Sequence, residues 1–218
     1  MKAGMWEWSK SFGSTIVFAW IFTQGVAQAT VVPSESMVPT ILVGDHFFLD
    51  KFAFPANYPT MLQKYLPVRT IERGEILAFW SPENPNMRLV KRVIGLPGDE
   101  IEIRNRVVSI NRRRLNEPYV VHTDPRNFDR RDNFGPVRIP PDHFFMMGDN
   151  RDNSNDSRFW GFAPRESLIG RPLFIYWSYA DEPYSQEMTL TQWVAHSVSV
   201  IAHFPTRTRW FRTGTSLR

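Results

Sequence analysis

From Phe12 to Val32 the chain carries no charged residue, and the centre of that run reads I-V-F-A-W-I-F. About 20 apolar residues are enough to cross a bilayer core, and a helix is the form that hides its backbone polar groups from lipid. Gln24 and Gln28 dilute the far end of the run. Before it, Lys2 and Lys10 outweigh Glu7, an excess that keeps the N-terminus in the cytoplasm and sends the rest across. A second reading also fits. A basic start, a short apolar core and Ala27 with Ala29 in A-x-A spacing are the parts of a removable signal peptide. The uncleaved anchor is preferred, because cleavage after Ala29 frees a chain whose Pro33–Thr40 stretch begins almost at once.

That stretch, V-V-P-S-E-S-M-V-P-T from Val31 to Thr40, sets two serines one residue apart between Pro33 and Pro39. Each proline fixes its own φ and pushes the residue before it out of the helical region. An extended, rigid segment presenting Ser36 is expected; a plain Ser/Pro loop after a membrane segment is the alternative.

Beyond Thr40 the pattern is mostly β. Strands are expected within Ile41–Phe52, at I-L-A-F-W after Arg73-Gly74-Glu75, and over Met87–Ile94 before the turn Gly95-Leu96-Pro97-Gly98-Asp99. A hairpin is expected over Glu100–Ile110, with Arg104-Asn105 near its tip, and further strands at His143–Met147 and Pro172–Tyr179. The 218 residues suit one well-filled domain with an appendage. The division expected is a cytoplasmic N-terminus at 1–11, an anchor at 12–32, and a catalytic β core at 33–110 and 143–180. A polar inserted β region takes 111–142 and a tail 181–218. Within the tail, Thr189–Phe204 is a candidate helix at the membrane interface, too short and too polar for a second span.

The net charge of +4 invites a nucleic-acid reading, but the arginines are interspersed with carboxylates and no base-reading motif is present. The end of the tail, with Trp210 and Phe211 among arginines, suits an anionic membrane surface equally well. Without cysteine there is no disulfide framework, thiolate nucleophile or cysteine zinc site. The five histidines form no H-E-x-x-H pair, and no G-x-S-x-G elbow singles out a serine.

Lys91 stands out. It lies in L-V-K-R-V-I-G on an expected strand. Facing inward, it loses hydration and its pKa falls; a desolvated amine beside a serine makes a Ser–Lys pair. Alternatively Lys91 snorkels to the edge and Arg92 pairs with a carboxylate. The segment G-D-N-R-D-N-S-N-D-S-R-F-W-G, Gly148 to Gly161, is dense in side chains that bond their own backbone. It makes either a rigid bracing loop, with Asp156 and Arg158 paired, or a solvated one.

P-S-E-S-M-V-P-T, R-L-V-K-R-V-I-G-L-P-G-D and G-D-N-R-D-N-S-N-D-S-R-F-W-G resemble, in order, three signature boxes of the bacterial type I signal peptidases, the membrane-bound Ser/Lys leader peptidases of family S26. R-G-E-I-L-A-F resembles a fourth, structural box, and the likeness spans Val31 to Tyr179. It implies an antiparallel, partly open β barrel with a smaller β insertion, tethered by one N-terminal transmembrane helix. Ser36 is then the nucleophile and Lys91 the general base. The Ser34 hydroxyl and the Ser36 N–H match the oxyanion hole, Ser154 a serine that orients the lysine, and Asp156 with Arg158 a supporting pair. Val32, Pro33, Met37, Ile41, Leu89 and Val90 match shallow apolar pockets for small side chains. Glu35 stands where many members have glycine, a carboxylate expected to bear on the charge near Lys91.

The function so implied is removal of signal peptides from exported preproteins after a small residue, with no metal and no organic cofactor. The enzyme would sit in the bacterial cytoplasmic membrane with its catalytic domain outside, close to the translocation machinery, and would bind no nucleic acid. Two rivals remain: a dedicated or self-cleaving Ser/Lys peptidase, and a non-catalytic, membrane-tethered β module that binds peptides.

Overall fold

The computed structural model describes residues 12–15, 27–52, 54–58, 61, 65, 69–180 and 189–217. Most of the expected anchor lies outside these residues. Its last part does not: Ala27–Val31 forms strand β1, paired antiparallel with Asp45–Asp50, strand β2. The expected boundary at 32 is therefore too late, and an apolar Ala/Val/Thr segment is taken up as a strand edge instead. Among the described residues no helix is long and apolar enough to cross a membrane.

In chain order the remaining strands are β3 (Ile76–Trp80), β4 (Arg88–Gly95), β5 (Glu100–Arg104), β6 (Val107–Ile110), β7 (Arg113–Arg114), β8 (Phe134–Arg138), β9 (His143–Met147), β10 (Ala163–Pro164) and β11 (Leu168–Ser178). Seven form one antiparallel sheet in the order β1-β2-β11-β3-β4-β9-β10, with β1 and β10 as its edges among the described residues. The other four form a small antiparallel sheet, β7-β6-β5-β8. Mostly β, with a smaller β unit, is what the sequence predicts. The division falls earlier than residue 111, however, because β5 and β6 belong to the small sheet.

The patterns explain the layers. In β3, Ile76 to Phe79 are all buried, as befits a central strand with neighbours on both faces. In β5 the period is two: Ile101 and Ile103 are buried, Glu100 and Glu102 are not. The buried face of the small sheet packs Ile101, Ile103, Val108 and Ile110 against Ile94, Phe145 and Met147 of the large one. The β5–β6 tip is Asn105-Arg106, both left-handed (φ 48° and 71°), one residue beyond the expected position and of the kind two-residue hairpins use.

The tail is tied down. Helix α3 (Leu190–Arg207; α1 is Asp129–Asp132 and α2 Ser157–Trp160) starts at a capping box between Thr189 and Gln192. After it, the chain runs back along the half of β11 that β3 leaves open. Arg209 N–H donates to Ser178 O, and Leu217 N–H to Leu173 O. Leu217 joins the core beside Met37 and Ile41. Arg212 donates to Asp45 and Arg209 to the Tyr179 carbonyl, so these two arginines of the basic tail serve the fold.

Candidate active site

The segment expected to be extended around Ser36 is extended at Val31, the end of β1, at Ser34 (φ −125°, ψ 155°) and at Val38, but not throughout. Between Ser34 and Val38, Glu35–Met37 makes one 3₁₀ turn, with Val38 N–H donating to Glu35 O and Ile41 N–H to Met37 O. The prolines fix the flanks, and the turn buries Met37 in the core while tipping Ser36 toward β4.

There Lys91 meets it. Lys91 is 3% exposed and its Nζ donates to Ser36 Oγ at 2.5 Å; Ser34 Oγ stands 3.2 Å from the same oxygen. Lys91 does not snorkel. Its neighbour Arg92 does pair with a carboxylate, gripping Asp149 through Nε at 2.8 Å and Nη2 at 2.6 Å. Burial pushes the Lys91 amine down from 10.5 to about 8, Asp156 draws it up, Arg158 down, and Asp149 up again. Glu35 is not among these charges; its carboxylate accepts from Asn153 Nδ2 at 3.0 Å.

The Gly148–Gly161 loop braces the turn from behind. Asp156 is fully buried, caps α2 by accepting from Arg158 N–H, and takes Nε and Nη2 of Arg158 at 2.8 Å each. Burial works to raise its pKa, but the Arg158 hydrogen bonds and charge, with the Gly148 N–H, hold it below the usual carboxylate value. Arg158 also donates to the carbonyls of Arg131 and Arg151. Asn150 N–H donates to Ser36 O at 3.1 Å, and Thr40 Oγ1 to Asp149 at 2.6 Å. Ser154 Oγ is buried and close enough to Asp156 to favour its charge, yet among the described residues it meets no partner at normal hydrogen-bond geometry.

Two contributors were not singled out from the sequence. A Cβ on Gly148 would lie 2.4 Å from both Ser154 Oγ and Ser36 O, so only glycine lets the loop approach the Ser36 turn this closely. The Thr40–Asp149–Arg92 chain is the other; each residue is in a quoted motif, but their meeting depends on sheet topology. Of the expected pocket residues, Val32, Met37 and Ile41 are core members with Val90 packed on them, Leu89 packs on the neighbouring cluster, and Pro33 is exposed. Met37 and Ile41 are fully buried, so they back a surface and do not open onto it.

A serine oxygen in contact with a desolvated amine, on an antiparallel β scaffold, is the equipment of a serine hydrolase. Residues 5–177 match the family described as signal peptidase, peptidase S26. The chain is 36% identical over 178 residues to a signal peptidase I of Leptolyngbya laminosa, covering 78% of this chain and 79% of that one. It is 32% identical over 184 residues to signal peptidase I S of Bacillus subtilis strain 168, covering 82% and 92%. A solved signal peptidase I from Enterococcus faecalis is 33% identical, covers 47% of this chain and 97% of that chain, and superposes with a TM-score of 0.42. The chain belongs to the signal peptidase family, peptidase S26. Helix α3 and the strand-like segment after it lie beyond the matched residues.

Proposed function

We infer that this chain cleaves signal peptides from exported preproteins after a small residue, with Ser36 as nucleophile and Lys91 as general base. The observation that carries this reading is the 2.5 Å contact between a 3% exposed amine and the Ser36 hydroxyl. In its neutral form Lys91 accepts the Ser36 proton as Oγ attacks the carbonyl carbon. Negative charge gathers on the carbonyl oxygen, where the Ser34 hydroxyl and the Ser36 N–H stabilise it; one such donor contributes about 3 kcal/mol. Lys91 then gives the proton to the departing amine, leaving an ester on Ser36. Water deprotonated by the same Lys91 hydrolyses the ester.

Substrate docks by strand addition. Among the described residues β1 pairs only with β2, and β4 meets β9 only from Arg92 onward, so both present an edge leading to Ser36. Val32, Met37, Ile41 and Val90 back the floor under the docked peptide and leave depth for a small side chain. Asp156 and Arg158 hold the loop behind the dyad, and Ser154, buried there without a hydrogen bond to Lys91 among the described residues, reaches the amine only if its hydroxyl turns toward it. The uncharged run before β1 anchors the enzyme in the bacterial cytoplasmic membrane with its cleft on the outer face, where preproteins emerge from the translocation machinery.

The test is turnover of an A-x-A precursor by the purified full chain. Ser36→Ala and Lys91→Met each lose at least about a thousandfold in cleavage while keeping the β circular dichroism spectrum. Unchanged turnover in either variant refutes the mechanism, and a folded wild type that binds the peptide without cutting it is a binding module.

A further inference from the structure

At the far end of the two edges lies a cavity of about 500 Å³, between Gln28 of β1 and Arg88 of β4, with Lys51, Asn57 and Trp80 also in its wall. Arg88 precedes Lys91 by three residues on β4, so at about 3.3 Å per residue the cavity sits roughly 10 Å ahead of the reacting groups.

Its charge is one-sided. Lys51 is 7% exposed. The guanidinium of Arg88 lies 5.3 Å from the Trp80 ring centroid. Among the described residues neither cation has a carboxylate within ion-pair distance; Asp50, the nearest in sequence, faces Arg69 and Arg171 instead. Asn57 spends its amide on the carbonyls of Lys51, Phe54 and Ile169, which fixes the Lys51 backbone. Burial, and then the charge of Arg88, push the Lys51 pKa down. Two cations held near each other without a counter-charge are a cost to the folded chain, and a ligand rich in acceptors relieves it.

A precursor brings such acceptors to this place. Ahead of its A-x-A segment runs an apolar stretch of about 7–15 residues. As a helix, that stretch ends in up to four carbonyls without intrahelical partners and carries the negative end of the helix dipole. The spacing fits: three extended residues before the cleaved bond span about 10 Å. So does the level. β1 starts at Ala27, within the last part of the enzyme's own uncharged run, and Ala27 pairs with Asp50, the residue before Lys51.

We propose that Lys51 and Arg88 form a subsite that receives the carbonyl-bearing C-terminal end of the precursor's apolar helix, about 10 Å ahead of the cleaved bond. This rests on the peptidase reading above. A lipid phosphate also suits two cations, but the cavity lies in line with the edges along which the peptide docks, which favours the peptide.

The experiment compares two substrates on the full chain in neutral detergent: a complete precursor, and a short peptide beginning three residues before the cleaved bond. The Lys51→Gln/Arg88→Gln double variant is expected to lose about tenfold in kcat/KM on the precursor, mainly through KM. It keeps wild-type turnover of the short peptide, and Lys51→Arg keeps both activities. Equal losses on the two substrates, or none on the precursor, overturn the subsite. Repeating the assay in phosphatidylcholine vesicles with and without phosphatidylglycerol separates the lipid source; a defect confined to phosphatidylglycerol assigns the cations to a headgroup and overturns the peptide subsite. Wild-type cleavage of the short peptide, abolished by Ser36→Ala, shows the peptidase reading intact whichever way the subsite result falls.

Discussion

Raising the pH is the most direct perturbation of the Ser36–Lys91 contact. With the amine at about 8, roughly a tenth of the molecules hold a neutral Lys91 at pH 7, half at pH 8 and about nine-tenths at pH 9. If the neutral amine is the base, kcat/KM on an A-x-A peptide rises about tenfold between pH 7 and pH 9 and is then flat. An ordinary lysine near 10.5 would instead give a rate that keeps climbing about tenfold per pH unit up to pH 10. The assay is kcat/KM at steps from pH 6 to pH 10.5, with enzyme reactivated at pH 8 to rule out unfolding. A plateau absent below pH 10, or a midpoint near 6.5 as for a histidine base, refutes the reasoning. The same shift acts on stability. The drop from 10.5 to about 8 corresponds to about 3 kcal/mol. Because the folded pKa lies below the unfolded one, the unfolded chain holds the extra proton between the two values, and stability rises with pH across that window. Below pH 8 the full cost is present; above 10.5 it is gone. Lys91→Met should therefore stabilise the protein by up to about 3 kcal/mol at pH 7, with the advantage shrinking as pH passes from 8 to 10.5 in urea titrations.

Gly148→Ala forces a methyl group against Ser154 Oγ and the Ser36 carbonyl; cleavage should fall at least about a hundredfold through kcat, since displacements of about 1 Å carry such losses, and wild-type kcat would show that the turn has slack. Arg158→Ala leaves the buried Asp156 carboxylate without its partner. It should cost about 3–5 kcal/mol in urea unfolding; a loss under about 1 kcal/mol would mean that the pair adds little net stability. Glu35→Gly should leave the pH midpoint in place, since Asn153 holds that carboxylate and the charges acting on Lys91 are others; a midpoint moved by about half a unit or more would contradict this.

The elements legible in the sequence are those whose signal is local. The hairpin over Glu100–Ile110, the apolar run I-L-A-F-W and the helix from Thr189 each show in a few residues, and each starts within a residue or two of its expected place. The Ser36 turn was less legible. Pro33 and Pro39 constrain their own φ and their immediate neighbours, while the three residues Glu35–Met37 are free to coil, and burial of Met37 decides that they do. The tail was legible only as a helix, because its docking depends on β3 leaving half of β11 unpaired.

By itself, the order of residues determined which groups could react: two serines between prolines, a lysine among aliphatic neighbours, and a loop crowded with side chains that bond backbone. It also determined the β character of the chain, since period and turn residues are read over short spans. Only the tertiary structure decided that Lys91 faces inward to Ser36, that Arg92 turns to Asp149, and that Gly148 stands where no side chain fits. Those choices bring together groups 55 and more residues apart. Distances of that kind are set by strand order and packing, which no local pattern encodes.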